Sequence, residues 1–172
     1  MRKSVLCILL GIVCLFTGCT SNTKDGVAYL EEEKYQKAIE CFEKEIKEEK
    51  NLEEAYRGMG IAYFELENYE SSVEAFEKAL DNNAKESAAI YSFLGAGYLE
   101  LGNYEEALEN YANALQMEDC QDAIKQEILF NEIAIYQKMG DWETVKEKVD
   151  AYVKAYPEDE RMEKTVEFLE TR

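Results

Sequence analysis

Four tight turns with an aromatic residue at each recur along this chain at nearly equal intervals. The aromatic residues are Tyr35, Tyr69, Tyr104 and Trp142, at spacings of 34, 35 and 38 residues. On both sides of each turn, apolar residues recur with the period of a helix. A repeat of this length built from helix pairs is typical of a solenoid, in which each unit packs on its neighbours. Glu, Lys, Leu and Ala are frequent and favour helices, so the pattern predicts an all-α chain.

The residues around the turns resemble the tetratricopeptide repeat (TPR), a pair of antiparallel helices called A and B. The helix A pattern of that family is a bulky residue, Leu-Gly and a later Tyr, which corresponds here to Tyr56, Met59, Gly60 and Tyr63, and to Tyr91, Leu94, Gly95 and Tyr98. The small and aromatic residues of helix B correspond to Ala38 and Phe42, to Phe76 and Ala79, and to Ala107, Tyr111 and Ala114. Pro157 matches the proline that closes a repeat, whereas Glu45, Ser72 and Ile133 depart from the small residues of the family.

The resemblance implies a right-handed α-α superhelix, a TPR solenoid of about four helix pairs with a C-terminal capping helix. We place the TPR domain at 26–172, with repeats near 19–52 (truncated), 53–86, 88–121 and 126–159, and the cap at 159–171. The helices are expected near 25–33, 36–49, 52–67, 69–82, 86–101, 104–118, 121–139 and 142–155.

Local signals predict how several of these helices end and begin. Gly102 and Gly140 suit the left-handed residue that follows a helix. Asn51 with Glu54, and Asn103 with Glu106, have the spacing of a capping box, in which each side chain bonds the backbone of the other residue.

The first 18 residues predict a secretory signal peptide. Arg2 and Lys3 precede twelve uncharged residues, 5–16, which as a helix cover about 18 Å, whereas a bilayer core is about 30 Å thick. That length is typical of the apolar region of a signal peptide rather than of a membrane span.

The end of this segment, Leu15-Phe16-Thr17-Gly18-Cys19, resembles the lipobox of bacterial lipoproteins. The resemblance implies that Cys19 receives a diacylglyceryl lipid and becomes the new amino terminus, with 19–25 as the lipidated residue and a short tether. Two acyl chains suffice for stable attachment to a membrane. An uncleaved anchor that merely ends in a cysteine is the alternative. The sequence thus predicts attachment to the extracytoplasmic face of a bacterial cell membrane.

Charge and composition argue against several functions. Acids outnumber bases 37 to 19, for a net charge of -18, and loss of Arg2 and Lys3 with the signal peptide makes it -20. Such a surface repels phosphate backbones, so we expect no nucleic-acid partner. The chain has no histidine, and no catalytic, metal or nucleotide motif is present, so we expect no enzyme activity, cofactor, metal or small-molecule substrate. Cys41 and Cys120 are expected to be packing residues rather than a disulfide or a reactive thiol.

By the resemblance, helix A lines the inner face of the solenoid, which is the expected site for a peptide. The candidate groove residues are Leu30, Arg57, Ile61, Phe64, Glu65, Ser92, Leu99, Glu100, Phe130 and Asn131. Glu31, Glu65 and Glu100 recur at the repeat spacing and form an acidic row, although glutamates on every helix also allow a merely solvated surface.

A surface with apolar and acidic residues suits a protein or peptide partner with apolar and basic residues. We therefore predict a membrane-anchored adaptor that binds such a partner in its groove. The alternative is a structural or self-associating subunit of a cell-envelope assembly.

Overall fold

The structure, a computed structural model, describes residues 21–171, and all regular secondary structure in this range is helical. The predicted signal peptide and Cys19 lie outside the described residues. The helices in chain order are α1 (Ser21–Glu31), α2 (Tyr35–Lys47), α3 (Leu52–Glu65), α4 (Tyr69–Asp81), α5 (Ala88–Leu101), α6 (Tyr104–Gln116), α7 (Asp122–Met139), α8 (Trp142–Ala155), a short 3-10 helix (Glu160–Met162) and α9 (Glu163–Glu170).

These bounds agree with the predicted helices to within a few residues, except at the amino terminus. Helix α1 begins at Ser21, so the residues from Ser21 to Asp25, which we expected to form a tether, are helical. The missed signal is a glycine at helix A spacing: Gly26, with Tyr29 three residues later, repeats the pattern of Gly60 and Tyr63. The first helix A is therefore longer than predicted.

The chain forms two compact units, which divide between Cys120 and Gln121. In the first unit each helix from α1 to α6 packs on the next, and helix A of one repeat also contacts helix A of the following repeat, α1 with α3 and α3 with α5. In the second unit α7 packs on α8, and α9 packs on α8.

An aromatic ring packed against glycine joins the two helices of each repeat in the first unit. A methyl group on Gly60 would lie 2.8 Å from the ring of Phe76, and one on Gly95 would lie 2.6 Å from Tyr111. The fully buried ring of Phe42 lies between two such glycines, Gly26 and Gly58, where added methyl groups would come within 2.7 Å and 2.3 Å. Only a residue without a side chain lets the ring approach so closely.

Two of the departures from the family pattern are buried polar side chains with hydrogen-bond partners. Ser72 is fully buried and its hydroxyl donates to the Gly60 carbonyl at 2.8 Å. Glu45 is 1% exposed and accepts a hydrogen bond from the Asn51 amide at 3.0 Å. Each therefore avoids the cost of an unsatisfied buried polar atom.

The third departure, Ile133, lies in the second unit and changes how the helix pair packs. Ile133 is 1% exposed and shares a core with Val145, Val149 and Tyr152. Along the chain, Ile133 and Val149 are as far apart as Gly60 is from Phe76. An isoleucine with a valine thus occupies the positions that a glycine and a ring occupy in the first unit.

The turn after helix A is left-handed in all four repeats. Gly102 and Gly140 adopt φ angles of 81° and 77°, as predicted. Glu33 and Glu67 adopt φ angles of 56° and 60° at the corresponding places in the first two repeats. A side chain makes this conformation unfavourable, so glycine was a sufficient signal for the turn but not a necessary one.

The two predicted capping boxes are wrong. Asn51 itself has a left-handed φ of 44°, and its amide binds Glu45 instead of the helix backbone. Asn103 makes no side-chain cap, and its backbone N–H already donates to the Tyr98 carbonyl at 2.9 Å, which leaves Glu106 no donor to accept from. Side-chain caps at other helix starts are made by Asn68, Ser87 and Asp141.

The close ring packing predicts that Gly60→Ala destabilises the first unit. Alanine favours a helix over glycine by about 1 kcal/mol, but overpacking a core costs about 1–3 kcal/mol. The Phe76 ring cannot retreat easily, because it is buried and stacked on Phe93 at a centroid distance of 5.0 Å. We therefore expect a net loss of up to about 2 kcal/mol in the free energy of unfolding, measured in urea.

The companion variant Phe76→Leu tests the cause of that loss. In the presence of Phe76→Leu, the added methyl group of Gly60→Ala has more room, so its cost should shrink by about 1 kcal/mol in a double-mutant cycle. Strict additivity of the two substitutions would contradict the ring-on-glycine account.

Candidate protein-binding surface

The candidate surface of the first unit is built by helix A residues, because α1, α3 and α5 contact one another in sequence. Residues at the repeat spacing therefore form rows across these three helices. The predicted groove residues of this unit differ in exposure. Leu30, Ser92 and Leu99 are buried, at 3%, 9% and 9% exposure. Arg57, Ile61, Phe64 and Glu65 are half-buried, and Glu100 is exposed.

Phe64, the aromatic residue among the predicted groove residues of this unit, packs against other rings. Its ring makes edge contacts with Tyr69 at 5.4 Å and with Phe93 at 5.2 Å between centroids. Ile61 packs against the core of the first repeat pair and also against the core around Phe93. Both side chains join neighbouring repeats, so a ligand can meet only the part of each that remains exposed.

Phe130 and Asn131, the predicted groove residues of the second unit, are half-buried. The guanidinium of Arg161 lies 4.2 Å from the centroid of the Phe130 ring, and Tyr152 makes an edge contact with the same ring at 6.3 Å. A cation thus covers one face of the ring that we expected to face a ligand.

Arg161 is held over Phe130 by a polar network that the sequence did not reveal. Its guanidinium donates to Asp159 at 2.7 Å and to Glu127 at 2.8 Å. Asp159 also accepts from Gln126 at 2.8 Å and from the hydroxyl of Tyr152. The hydrogen bonds from Arg161 hold the pKa of Asp159 well below its usual range, and burial together with the bond to Asp159 raises the pKa of Tyr152 to about 12.

This network fixes the segment after α8 to α7 within the second unit. Its members lie far apart along the chain, as in the pairs Gln126–Asp159 and Glu127–Arg161. Charge patterning within one helix could not have indicated them, because no member of either pair lies within a helical turn of its partner.

The acidic row differs from one member to the next. Glu31 and Glu100 are exposed, whereas Glu65 is half-buried beside the hydroxyl of Tyr35. Burial, and then the charge of Glu33, raises the pKa of Glu65, and burial, then the charge of Glu65, raises the pKa of Tyr35 to about 12. No lysine or arginine among residues 21–171 forms an ion pair with Glu31, Glu65 or Glu100.

The described residues show little that suggests other chemistry. Within 21–171, no three acids or cysteines converge in a way that could hold a metal ion. No helix in the same range is long and apolar enough to cross a membrane. Cys41 is buried and Cys120 half-buried, and no disulfide joins them in residues 21–171; burial raises the pKa of Cys41.

The environment of Glu65 yields a titration test. Glu33→Gln removes a nearby negative charge, so the pKa of Glu65 should fall, while burial keeps it above its ordinary value of about 4.3. The side-chain carboxyl carbon of Glu65, followed by NMR against pH, measures this. Glu40→Gln, on the exposed side of α2, is the matched control and should leave the titration of Glu65 unchanged.

The raised pKa of Glu65 also determines how its contribution to the free energy of unfolding changes with pH. Because the folded chain binds the Glu65 proton more tightly than the unfolded chain, the contribution of Glu65 to the free energy of unfolding falls as pH rises from the unfolded to the folded pKa. Glu65→Gln should remove this contribution. An unchanged pKa of Glu65 in the Glu33→Gln variant would contradict the assigned cause.

Comparison with known proteins identifies the family and similar folds. The family model described as tetratricopeptide repeat matches residues 24–87 and 57–123, which together cover more than half of the 172-residue chain. Two solved structures of MamA AMB-1, in different crystal forms, are similar in fold with TM-scores of 0.65 and 0.64 at 14% sequence identity. They cover 80% of this chain, and 73% and 78% of the MamA chains. No curated protein matches the sequence significantly.

These findings confirm the predicted fold class, an all-α fold of the TPR superhelix type. Proteins built from such repeats are generally non-catalytic, and the fold supports a protein-interaction or scaffold role. Since its repeat pattern matches the family model over residues 24–123, the chain belongs to the tetratricopeptide repeat family.

Proposed function

We propose that this protein is a membrane-anchored, extracytoplasmic TPR adaptor that binds a peptide or protein partner on the helix A surface of its first unit. The observation that carries the proposal is the acidic row of Glu31, Glu65 and Glu100, since no basic residue of the described chain neutralises it. Ile61 lies one helical turn before Glu65 and leaves part of its side chain exposed on the same face.

The chemistry of this surface favours a partner with apolar and basic residues. A partly desolvated carboxylate such as Glu65 interacts more strongly with a cation than a fully solvated one does. Lysine or arginine of the partner would relieve the repulsion between Glu65 and Glu33. The acids would mainly select and steer the partner, while contacts with the exposed parts of Ile61 and Phe64 add affinity.

The membrane anchor in this proposal rests on the lipobox-like segment ending at Cys19. Cys19 precedes the first residue of α1, Ser21, by two positions, a span of at most about 7 Å. A lipid on Cys19 would therefore hold the folded repeats directly at the membrane surface, closer than the six-residue tether expected from sequence. The high negative charge disfavours contact with anionic headgroups and would turn the acidic surface away from them.

A structural or self-associating subunit is the second candidate. It is favoured by an exposed aromatic pair in the second unit, Trp142 and Phe168, whose rings lie 5.0 Å apart and which are 39% and 36% exposed. Light scattering of residues 20–172 separates the two candidates, because a monomer at every concentration and salt level contradicts self-assembly.

Neutralising the acidic row tests the adaptor proposal. The partner is first identified by crosslinking in the native cell. Residues 20–172, immobilised and carrying Glu31→Gln, Glu65→Gln and Glu100→Gln, should then bind this partner about tenfold more weakly than the unchanged chain. The reason is the loss of three charge contacts of about 0.5 kcal/mol each. Glutamine keeps the size and shape of the side chain and removes its charge.

The matched control neutralises three exposed glutamates on helix B instead, Glu40, Glu70 and Glu109. Both triple variants change the net charge by the same amount. Recovery should be retained in this control, and an equal loss in both variants would remove the helix A surface from consideration.

The anchor has a separate test in the Cys19→Ser variant. Serine cannot form the thioether to a diacylglyceryl group, so metabolic labelling with a radioactive fatty acid should be lost, and the chain should be released or misprocessed. Cys41→Ser, at a buried site of the folded part, is the control that should keep the label. Labelling that persists in Cys19→Ser would contradict lipidation at this residue.

A further inference from the structure

Helices α8 and α9 of the second unit leave an open cleft between them. Two adjoining parts of this cleft, of about 500 and 600 Å³, share Val153, Val166 and Glu170 in their walls. Val149 and Met162, which are 2% and 4% exposed, form part of its floor. We call this space the α8–α9 cleft.

Apolar surface in the α8–α9 cleft is reachable from solvent. Val153, in the last turn of α8, is 37% exposed. Val166 and Leu169 of α9 pack on the core around Val149 and are only partly covered by it. The final helix thus shields part of the apolar edge of the solenoid and leaves a strip between the two helices uncovered.

The part of the α8–α9 cleft near Pro157 is strongly acidic. Five glutamates line the part of the cleft that includes Pro157, at positions 158, 160, 163, 167 and 170, and Glu170 borders the other part as well. No lysine or arginine of residues 21–171 forms an ion pair with any of them, and Arg161 is committed to Asp159 and Glu127. In the other part of the cleft Lys146 and Lys154 offset Asp150 and Glu170.

We propose that the α8–α9 cleft is a docking site for a short basic amphipathic helix of a partner protein. An apolar side chain of that helix packs on Val153 and Val166, and its lysines or arginines face the glutamates near Pro157. The cleft follows α8 from Lys146 to the end of the helix at Ala155, a length of about 14 Å, and continues to Pro157, which gives room for two to three turns of a docked helix. The acidic lining repels phosphates and anionic lipids, whereas a basic amphipathic helix complements both the glutamates and the apolar walls.

This docking site goes beyond the helix A surface and does not depend on it. Every residue of the α8–α9 cleft belongs to the second unit, whereas the acidic row lies in the first. Binding at one surface can therefore be lost without loss at the other.

The experiment measures binding of a fluorescein-labelled 14-residue amphipathic peptide of leucine and lysine to residues 20–172, which hold all the described helices and their cores. Glu163→Gln with Glu167→Gln should weaken binding of the peptide about fivefold, since two charge contacts are lost. The control pair Glu40→Gln with Glu109→Gln makes the same change in net charge on the first unit and should weaken it less than twofold. Both pairs replace exposed side chains, and circular dichroism checks that the helices are retained.

A second pair of variants tests the apolar contact. Val153→Ser should weaken the peptide at least fivefold, whereas Met139→Ser, at a residue 46% exposed outside the α8–α9 cleft, should not change its affinity. NMR shifts caused by the peptide should concentrate on α8 and α9.

Three results would overturn the proposal. Equal weakening by both glutamate pairs would show attraction to net charge alone. Peptide shifts on α3 and α5, with loss of affinity in the triple glutamine variant of the acidic row, would place the peptide on the helix A surface instead. A dimer in sedimentation that Val153→Ser dissociates would assign the cleft to a second copy of this chain.

Discussion

The contact between an aromatic ring of helix B and a glycine of the helix A before it organises every repeat of the first unit. Gly60 with Phe76 and Gly95 with Tyr111 show it, and Phe42 extends it by packing on glycines of two successive A helices. Because the ring needs the missing side chain, the distance between helices A and B is fixed wherever the pair occurs. In the second unit the two positions at this spacing are Ile133 and Val149. There two aliphatic side chains fill the space between the helices, in place of a ring and a glycine.

This way of packing limits what the surface can offer to a partner. Rings fill the spaces within and between repeats, as Phe64 does against Phe93, and a guanidinium covers Phe130. The charged side chains exposed on the helices are mostly glutamates. Recognition by such a surface depends on matching charges and on the limited apolar area beside them, which favours selective rather than very tight binding.

Much of the fold could be read from the sequence because the helix pattern is repeated and local. The bounds of the helices after α1 and the left-handed Gly102 and Gly140 follow from periodicity and glycine, whereas the start of α1 at Ser21 was missed. Glu33 and Glu67 adopt the same left-handed turn without the residue that signals it, so that turn is imposed by packing rather than by local preference. The network around Arg161 joins residues far apart in the chain, and only the folded structure brings them together.

Site-specific photocrosslinking in the native cell tests most directly whether helix A residues of the first unit hold a partner. A photoreactive residue at Ala96, half-buried on α5, should yield an adduct with another polypeptide, whereas one at Ala112, exposed on α6, should not. An adduct at position 96 that is absent at position 112 is the result this account predicts. No adduct at position 96, or the same adduct from both positions, would contradict it.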